Sequence, residues 1–573
     1  MRMKSLVGQI LTLVVALTGV LSTAFADSSG SWIPQSANQS DQSFHSVTFK
    51  DPLPMQFNFS LLQATDGNSM FVCKSTSDPA CAHMTFKYLS ILKSCQSPTD
   101  IDCIASVTAI DSSGNSQPGA FSRYTVANHV NSYPADPKLG IAAGDTPSIW
   151  SIPGAPHASG NDYAIIAGES GYINPKDVNG PVKNNSSEYL DVSLVPVVLT
   201  DFGKSNSTLM GWSGPFLNGV YYDACHEFQQ TKTRKNAECG HVNGDSCYLP
   251  TNDQGICYAE EAMTPGQKFN VHLRLSHEPS GWIHGRMTDP NISITHESSG
   301  PVDLSIAAGS VQVPLVYQGA DWGTLPPSLQ DYWVKCMNHG DQCGYVGAGA
   351  GAASDFWVVG STLSGNAQLN LQGEPFSFGP LALQAMSAIA PLVGNKANTM
   401  TTSWNFRTLT NQEMKGADKC FTSTSGIKGI VSTNSTTYSQ GPPVLANGSL
   451  NYQVSSTHFL PDGATPFKGT YNLIMRSDVA RCLYGFSSAP ISASISVISA
   501  DGNNDVATTV AGEKNGWLSL SANNFEFSSP VIKVKLTQVG AKPKPVTIKC
   551  VSGKVAKSVT SLTPKCPVGF TQQ

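Results

Sequence analysis

Six of the twelve histidines and four of the fourteen cysteines fall between Tyr221 and His296. Neutral imidazoles converging with a carboxylate could hold zinc, and an open coordination position would then activate water. The set that a strand and its following turn could bring together is His272, His277, Glu278 and His284. His-Glu occurs at His226-Glu227, His277-Glu278 and His296-Glu297, but a helical zincin places its second histidine four residues after the first. Those positions hold Gln230, Gly281 and Gly300, so the zincin pattern fails at each. The cysteines lack C-x2-C spacing and read as disulfides rather than metal clamps. Gly211-Trp212-Ser213-Gly214 approaches a nucleophile elbow without its register or its following helix. Asp223, Glu227, Glu260 and Glu261 are the acids that a glycosidase reading would use as facing carboxylates. No catalytic residue and no cofactor are assigned on these patterns.

Aromatic side chains offer a binding chemistry instead, because an aromatic face covers the apolar C–H face of a sugar at little entropic cost. Trp150, Trp212, Trp282 and Trp322 stand beside Gly, Pro or Asp in expected loops and are the candidate platforms. Trp333, Trp404 and Trp517 fit apolar patterns and are expected in the core.

The elements that would position these residues are mostly strands. Lys268 to Leu275 alternates strictly, which places Phe269, Val271, Leu273 and Leu275 on one face and His272 on the other. Further strands are expected over Tyr163–Ala167, Tyr189–Leu199, Asn291–Thr295, Ile427–Val431, Leu450–Val454, Tyr471–Met475, Ile491–Ile498, Trp517–Leu520 and Val531–Leu536. Helical spacing appears at Leu329, Tyr332, Trp333 and Cys336 behind Pro326-Pro327, and again from Leu381 to Leu392, closed by Gly394. The resulting fold class is mainly β: several disulfide-stapled, β-sandwich-like domains with a small helical insert. The expected divisions are a leader at 1–26, a β-rich domain with two local disulfides at 27–144, and a sandwich-like domain with a Cys-rich loop at 145–310. A mixed segment at 311–412, a second sandwich-like domain at 413–540 and a basic tail at 541–573 follow.

The cysteines group evenly. Cys73, Cys81, Cys95 and Cys103 form one set of four and Cys225, Cys239, Cys247 and Cys257 another, each with three legal connectivities. Cys336 with Cys343, Cys420 with Cys482, and Cys550 with Cys566 are the expected pairs. The spacing of Cys420 and Cys482 is compatible with a bridge between two sheets of a sandwich. Arg2 and Lys4, an apolar run from Leu6 to Leu21, and Ala24-Phe25-Ala26 read as a cleaved secretory signal. Disulfides persist in that oxidising compartment, so the expected location is extracellular or on the cell surface.

Charged residues are only 13% of the chain, about half the share usual in soluble domains. The net charge of -5 is unevenly placed: after Glu526 there are eight lysines and no acid, which leaves +8 on the tail and -13 on the remainder. A positive tail on an acidic body could dock on anionic wall polymer or lipid headgroups. Nucleic acid is not an expected partner, since the body is acidic and carries no recognition motif.

Four stretches carry a resemblance: Ser280-Gly281-Trp282-Ile283-His284-Gly285-Arg286, Arg481-Cys482-Leu483-Tyr484-Gly485-Phe486, Asn515-Gly516-Trp517, and Thr547-Ile548-Lys549-Cys550 with Cys566-Pro567. In these patches of its C-terminal two-thirds the chain resembles an uncharacterised family of large secreted actinobacterial proteins. The resemblance implies export and a host group, and no activity. Together these features favour a secreted or envelope-associated non-catalytic protein that binds polysaccharide, wall polymer or a surface partner, with peripheral association through the basic tail. A secreted hydrolase using His272, His277, Glu278 and His284 with zinc, and a purely structural surface scaffold, are the alternatives.

Overall fold

The structure, a computed structural model, describes residues 45–48, 60–65, 70–81, 85–126, 132–174, 182–183, 189–201, 214–217, 220–222, 247–251, 256–297, 300–320, 327, 356–359, 370–373, 379–409, 413–422, 426–439, 441–488, 491–498, 504–505, 512–527, 531–538, 546–553, 555–561 and 564–572. It is mainly β. Its centre is one long sheet, which runs through Met70–Val72, Leu61–Thr65, Thr85–Ile91, Asp162–Asn174, Tyr189–Asp201, Asn405–Thr408, Gly281–Arg286, Ile427–Thr433, Lys468–Arg476, Trp517–Glu526 and Gly512–Lys514. Every neighbouring pair on this path is antiparallel except Gly281–Arg286 with Ile427–Thr433, which are parallel. Parallel neighbours need a long crossover, and here the connecting chain supplies strands to other sheets before it returns.

Two smaller sheets cover this long sheet. The first orders its strands Thr288–His296, Val302–Gly309, Lys268–Leu275, Cys103–Ile110 and Lys93–Ser94. The second includes Thr437–Tyr438, Ser449–Ser455, Val531–Gln538 and Ile491–Ile498. Ile283, Ile430 and Ile474 belong to one core with Phe269, Val271 and Leu304 of the first cover. Trp282, Val431, Leu473 and Met475 belong to the other, with Leu450, Ile495 and Val534 of the second cover. Successive residues of a strand point to opposite faces, so the two covers lie on opposite faces of the shared sheet. Ile427–Thr433 is covered on both, and all seven of its residues are buried.

The alternation read in Lys268–Leu275 is realised: Phe269, Val271, Leu273 and Leu275 are buried and His272 lies on the other face, partly exposed. The expected division at 144/145 is crossed by hydrogen bonds, because Cys103–Ile110 pairs with Lys268–Leu275 and Thr85–Ile91 with Asp162–Asn174. Asn405–Thr408, from the expected mixed segment, lies inside the shared sheet between Tyr189–Asp201 and Gly281–Arg286. Strand pairing is non-local, and local composition carries no record of which segments meet.

The expected helix after Leu381 is Pro380–Ile389, with proline at its first turn and Ala382, Ala385, Met386 and Ile389 buried. It ends before Leu392 because Pro391 has no N–H to continue the ladder, and Gly394 closes the turn at φ 64°. The helix read at Leu329–Cys336 lies outside the described residues.

Cys73–Cys81 and Cys95–Cys103 pair locally, which settles the connectivity of the first set. Cys420–Cys482 corrects the expectation of a sheet-to-sheet bridge: it joins two short helices, Lys419–Thr422 and Ser477–Tyr484. Cys550–Cys566 ties a three-stranded tail sheet of Val546–Ser552, Val555–Ser561 and Thr571–Gln572. Cys225, Cys239, Cys336 and Cys343 lie outside the described residues. Among the described residues no helix is long and apolar enough to cross a membrane.

Gly429 shows how tightly the doubly covered strand is packed. A Cβ there would lie 2.5 Å from Trp282 Cη2 and 2.6 Å from the carbonyl oxygen of Ile474. Gly429→Ala is therefore expected to destabilise the fold by about 1–3 kcal/mol, the usual cost of overpacking, read as a lowered urea midpoint with an unchanged slope.

Candidate functional site

Three of the four residues considered for a metal have hydrogen-bond partners, and the fourth, His284, is buried with its Nε2 unpartnered among the described residues. His272 Nε2 lies 2.9 Å from Asp303 Oδ1, and His277 Nδ1 lies 3.0 Å from Ser276 Oγ. Glu278 accepts the backbone N–H of Ile427 at 2.7 Å and pairs with His296 Nε2 at 2.9 Å. Its carboxylate thus anchors the entry to the doubly covered strand. His284 is buried in the second core's face of the shared sheet. Among the described residues no group of three or more His, Cys, Asp or Glu is placed to hold a metal ion.

Two of the four candidate platforms are corrected. Trp150 sits in Ser148–Ser151 and Trp282 in Gly281–Arg286, and their relative exposures are 4% and 0%. Trp150 Nε1 donates to Ser148 Oγ, and the Trp282 ring meets Phe421 edge-on. Glycine neighbours suggested loops. The neighbouring Gly281 takes φ 99° where its strand begins, with open space around it, and it is Gly429 of the adjacent strand that makes room for the Trp282 ring. Trp212 and Trp322 lie outside the described residues. Trp404 is in the core as expected, and Trp517 packs partly buried against the first core.

Of the acids, Asp223 and Glu227 lie outside the described residues. Glu260 is partly buried, and burial pushes its carboxyl up to about 7. Glu261 follows immediately and is taken by a loop: Ser159 donates to it through both Oγ and backbone N–H, and His157 Nδ1 lies 2.5 Å from its Oε2. Burial raises the Glu261 carboxyl, but these hydrogen bonds outweigh it and hold the group below its ordinary value. His157 Nε2 meets the carbonyl of Asp162. The carboxylate stands between serine and imidazole, so this is a loop clamp and not a nucleophile-and-base relay. Sequence reading did not single out His157, which has no local spacing to mark it.

A second constellation that sequence reading missed lies beside the parallel strand pair. Trp282, His284 and Arg286 share one face by alternation. Cross-strand register then sets Asp191 beside Arg407, Arg407 beside His284, and His284 beside Val431. The His284 ring stacks on Tyr438 with centroids 3.9 Å apart and planes within 4°. The Arg286 guanidinium lies 4.8 Å from the Tyr438 centroid and donates to the carbonyls of Thr433 at 2.9 Å and Ser435 at 2.6 Å. Arg407 holds Glu413 through two bonds of 2.7 and 2.6 Å. Burial alone would pull the Arg407 guanidinium down, but Glu413 more than offsets it and keeps the charge well above its ordinary range. Burial, reinforced by Arg286 and Arg407, pushes the His284 imidazole well below 6.5. Residues 432–437, Ser-Thr-Asn-Ser-Thr-Thr, are all buried here.

A third feature is at the surface. Val531–Gln538 turns Ile532, Val534 and Leu536 inward and leaves Lys533, Lys535 and Thr537 exposed. On that outer face Lys533 is flanked by Ser496 and Asn451, Lys535 by Ser494, and Thr537 by Ser492. The lysines' cross-strand neighbours are therefore hydroxyls and an amide. Among the described residues no carboxylate is paired opposite them across the strands.

No protein-family model and no curated protein matches this chain.

The depressed His284 imidazole predicts the sign of an acid response. An unfolded histidine takes up a proton near 6.5, whereas the folded one does so only far below, so its contribution to stability is complete above 6.5 and is lost as pH falls from there toward the folded value. The loss from this group approaches about 1.4 kcal/mol per pH unit. His284→Phe keeps a ring on Tyr438 and should flatten that part of the stability–pH profile, measured by urea denaturation at several pH values. Glu413→Gln strips the buried Arg407 of its counter-charge and should cost about 3–5 kcal/mol, read by the same titration at neutral pH.

Proposed function

We propose that this is an exported, non-catalytic envelope protein that binds an anionic wall polymer across the outer face of its second sandwich. The observation that carries the reading is Lys533 and Lys535, exposed on one face and flanked across the strands by Asn451, Ser494 and Ser496. Alternate residues of a strand are about 6.8 Å apart, so the two ammonium groups form a short row that can follow successive anionic groups of an extended chain. The hydroxyls and amide beside them suit the hydroxyl-rich backbone of such a polymer. The acid-free sequence beyond Glu526 keeps this end of the molecule positive while the remainder is acidic. Export is supported by the signal-like residues Arg2 to Ala26 and by four disulfides among the described residues. The hydrolase reading has less support, because among the described residues no three His, Cys, Asp or Glu are grouped to hold a metal ion, and His272 and Glu278 pair instead with Asp303 and His296.

Sedimentation with purified cell walls tests the proposal. The protein should pellet with walls at about 0.05 M salt and be released by about 0.5 M, where the Debye length is only a few ångströms. Lys533→Gln with Lys535→Gln should weaken retention several-fold while leaving the fold intact, since both side chains are exposed. Retention equal to that of the unsubstituted protein, or insensitivity to salt, would overturn it.

A further inference from the structure

The tail sheet brings together at one end what the sequence keeps apart. Its hairpin, Val546–Ser552 with Val555–Ser561, turns through Gly553 at φ 58°. Val555 stands opposite Ser552, the last register position before that turn, and is 53% exposed. Thr571–Gln572 runs antiparallel to Val546–Ser552, with Thr571 opposite Val551 and Gln572 opposite Cys550. Chain preceding Thr571 must therefore lie toward the same hairpin turn. That chain is Pro567-Val568-Gly569-Phe570, held at its start by the Cys550–Cys566 disulfide. Lys557 Nζ, 5.0 Å from the Phe570 ring centroid, independently places the returning segment against the hairpin. Val568 is fully exposed. Two apolar side chains on adjacent turns thus face solvent at one end of a sheet that also exposes Lys549, Lys557 and Lys565, and residues 546–572 contain no acid.

We infer that this end of the tail sheet is a docking tip for an anionic lipid surface. Charge alone would suit any polyanion, but exposed valines gain nothing from a hydrated polymer. They gain by entering the apolar boundary beneath lipid headgroups, while lysines nearby are drawn to anionic headgroups within a Debye length. Each signal alone gives marginal, reversible binding, and the pair together gives retention. The disulfide and the tight turns hold both valines in place, so little chain order is lost on docking. This site lies on a different sheet from Lys533 and Lys535 and does not depend on the polymer reading.

The test is co-sedimentation of the exported chain, without the signal-like residues 1–26, with vesicles of phosphatidylcholine alone, or with about a third phosphatidylglycerol. Binding is expected to the anionic vesicles and not to the neutral ones. Val555→Ser with Val568→Ser should weaken it about tenfold or more, and each of Lys549→Gln, Lys557→Gln and Lys565→Gln by about fivefold. Lys533→Gln with Lys535→Gln should leave vesicle binding unchanged, so failure here is distinguishable from failure of wall-polymer binding. Intact mass without reductant checks that the Cys550–Cys566 bridge survives in each variant. If the double valine variant pellets like the unsubstituted protein, or if the chain pellets with walls but not with anionic vesicles, the tip is not a lipid-docking site and the inference falls.

Discussion

Burial of one strand on both faces is the constraint on which the rest of the architecture depends. Ile427–Thr433 is sandwiched between two cover sheets, so each of its residues must suit a packed environment. Ile430 reaches into one core and Val431 into the other, and Gly429 leaves room for the Trp282 ring. The parallel pairing with Gly281–Arg286 follows from the same arrangement. It joins the strands that face the first cover to those that face the second, making one continuous sheet out of segments far apart in sequence. Burial of each large side chain contributes about 1.5–3 kcal/mol, and here a single strand draws on two cores.

That burial has a polar consequence. The same strands carry polar residues into buried positions, and at this seam they are His284, Arg286 and Arg407, joined by Glu413 from the turn that follows. Isolated charges at such depth would be strongly disfavoured. The structure meets this by pairing Arg407 with Glu413, aiming Arg286 at backbone carbonyls, and stacking the His284 ring on Tyr438. Buried ion pairs are weak sources of net stability but costly to break. The seam is better understood as fixing how the sheets are placed than as a reservoir of stability. Its solvent-facing counterpart is the lysine face of Val531–Gln538, where the cross-strand neighbours among the described residues are hydroxyls and an amide.

Much of the secondary structure was legible in the chain. Lys268–Leu275 and Ile491–Ile498 have the boundaries that their apolar patterns imply. Local disulfides in Cys73–Cys81 and Cys95–Cys103 were among the legal pairings, as was the Cys550–Cys566 tie. Candidate sites were less legible. Trp150 and Trp282 carry the same glycine and proline punctuation as a loop tryptophan, and only packing distinguishes the two. His157, His284 and Arg407 acquire their roles from partners 104, 154 and 6 residues away, at Glu261, Tyr438 and Glu413.

By itself the sequence determined the strand periods, the even cysteine groups, the low charge density and the acid-free tail. Each of these is a local or compositional property: side-chain alternation follows from backbone geometry, and charge is additive along a chain. Only the tertiary structure decided which strands pair, that two covers lie on opposite faces of one sheet, and that Val555 and Val568 lie toward the same end of the tail sheet. Those are matters of long-range register and burial. A strand's pattern says that one face must be covered, but the partner that covers it is selected by the packing of the whole chain.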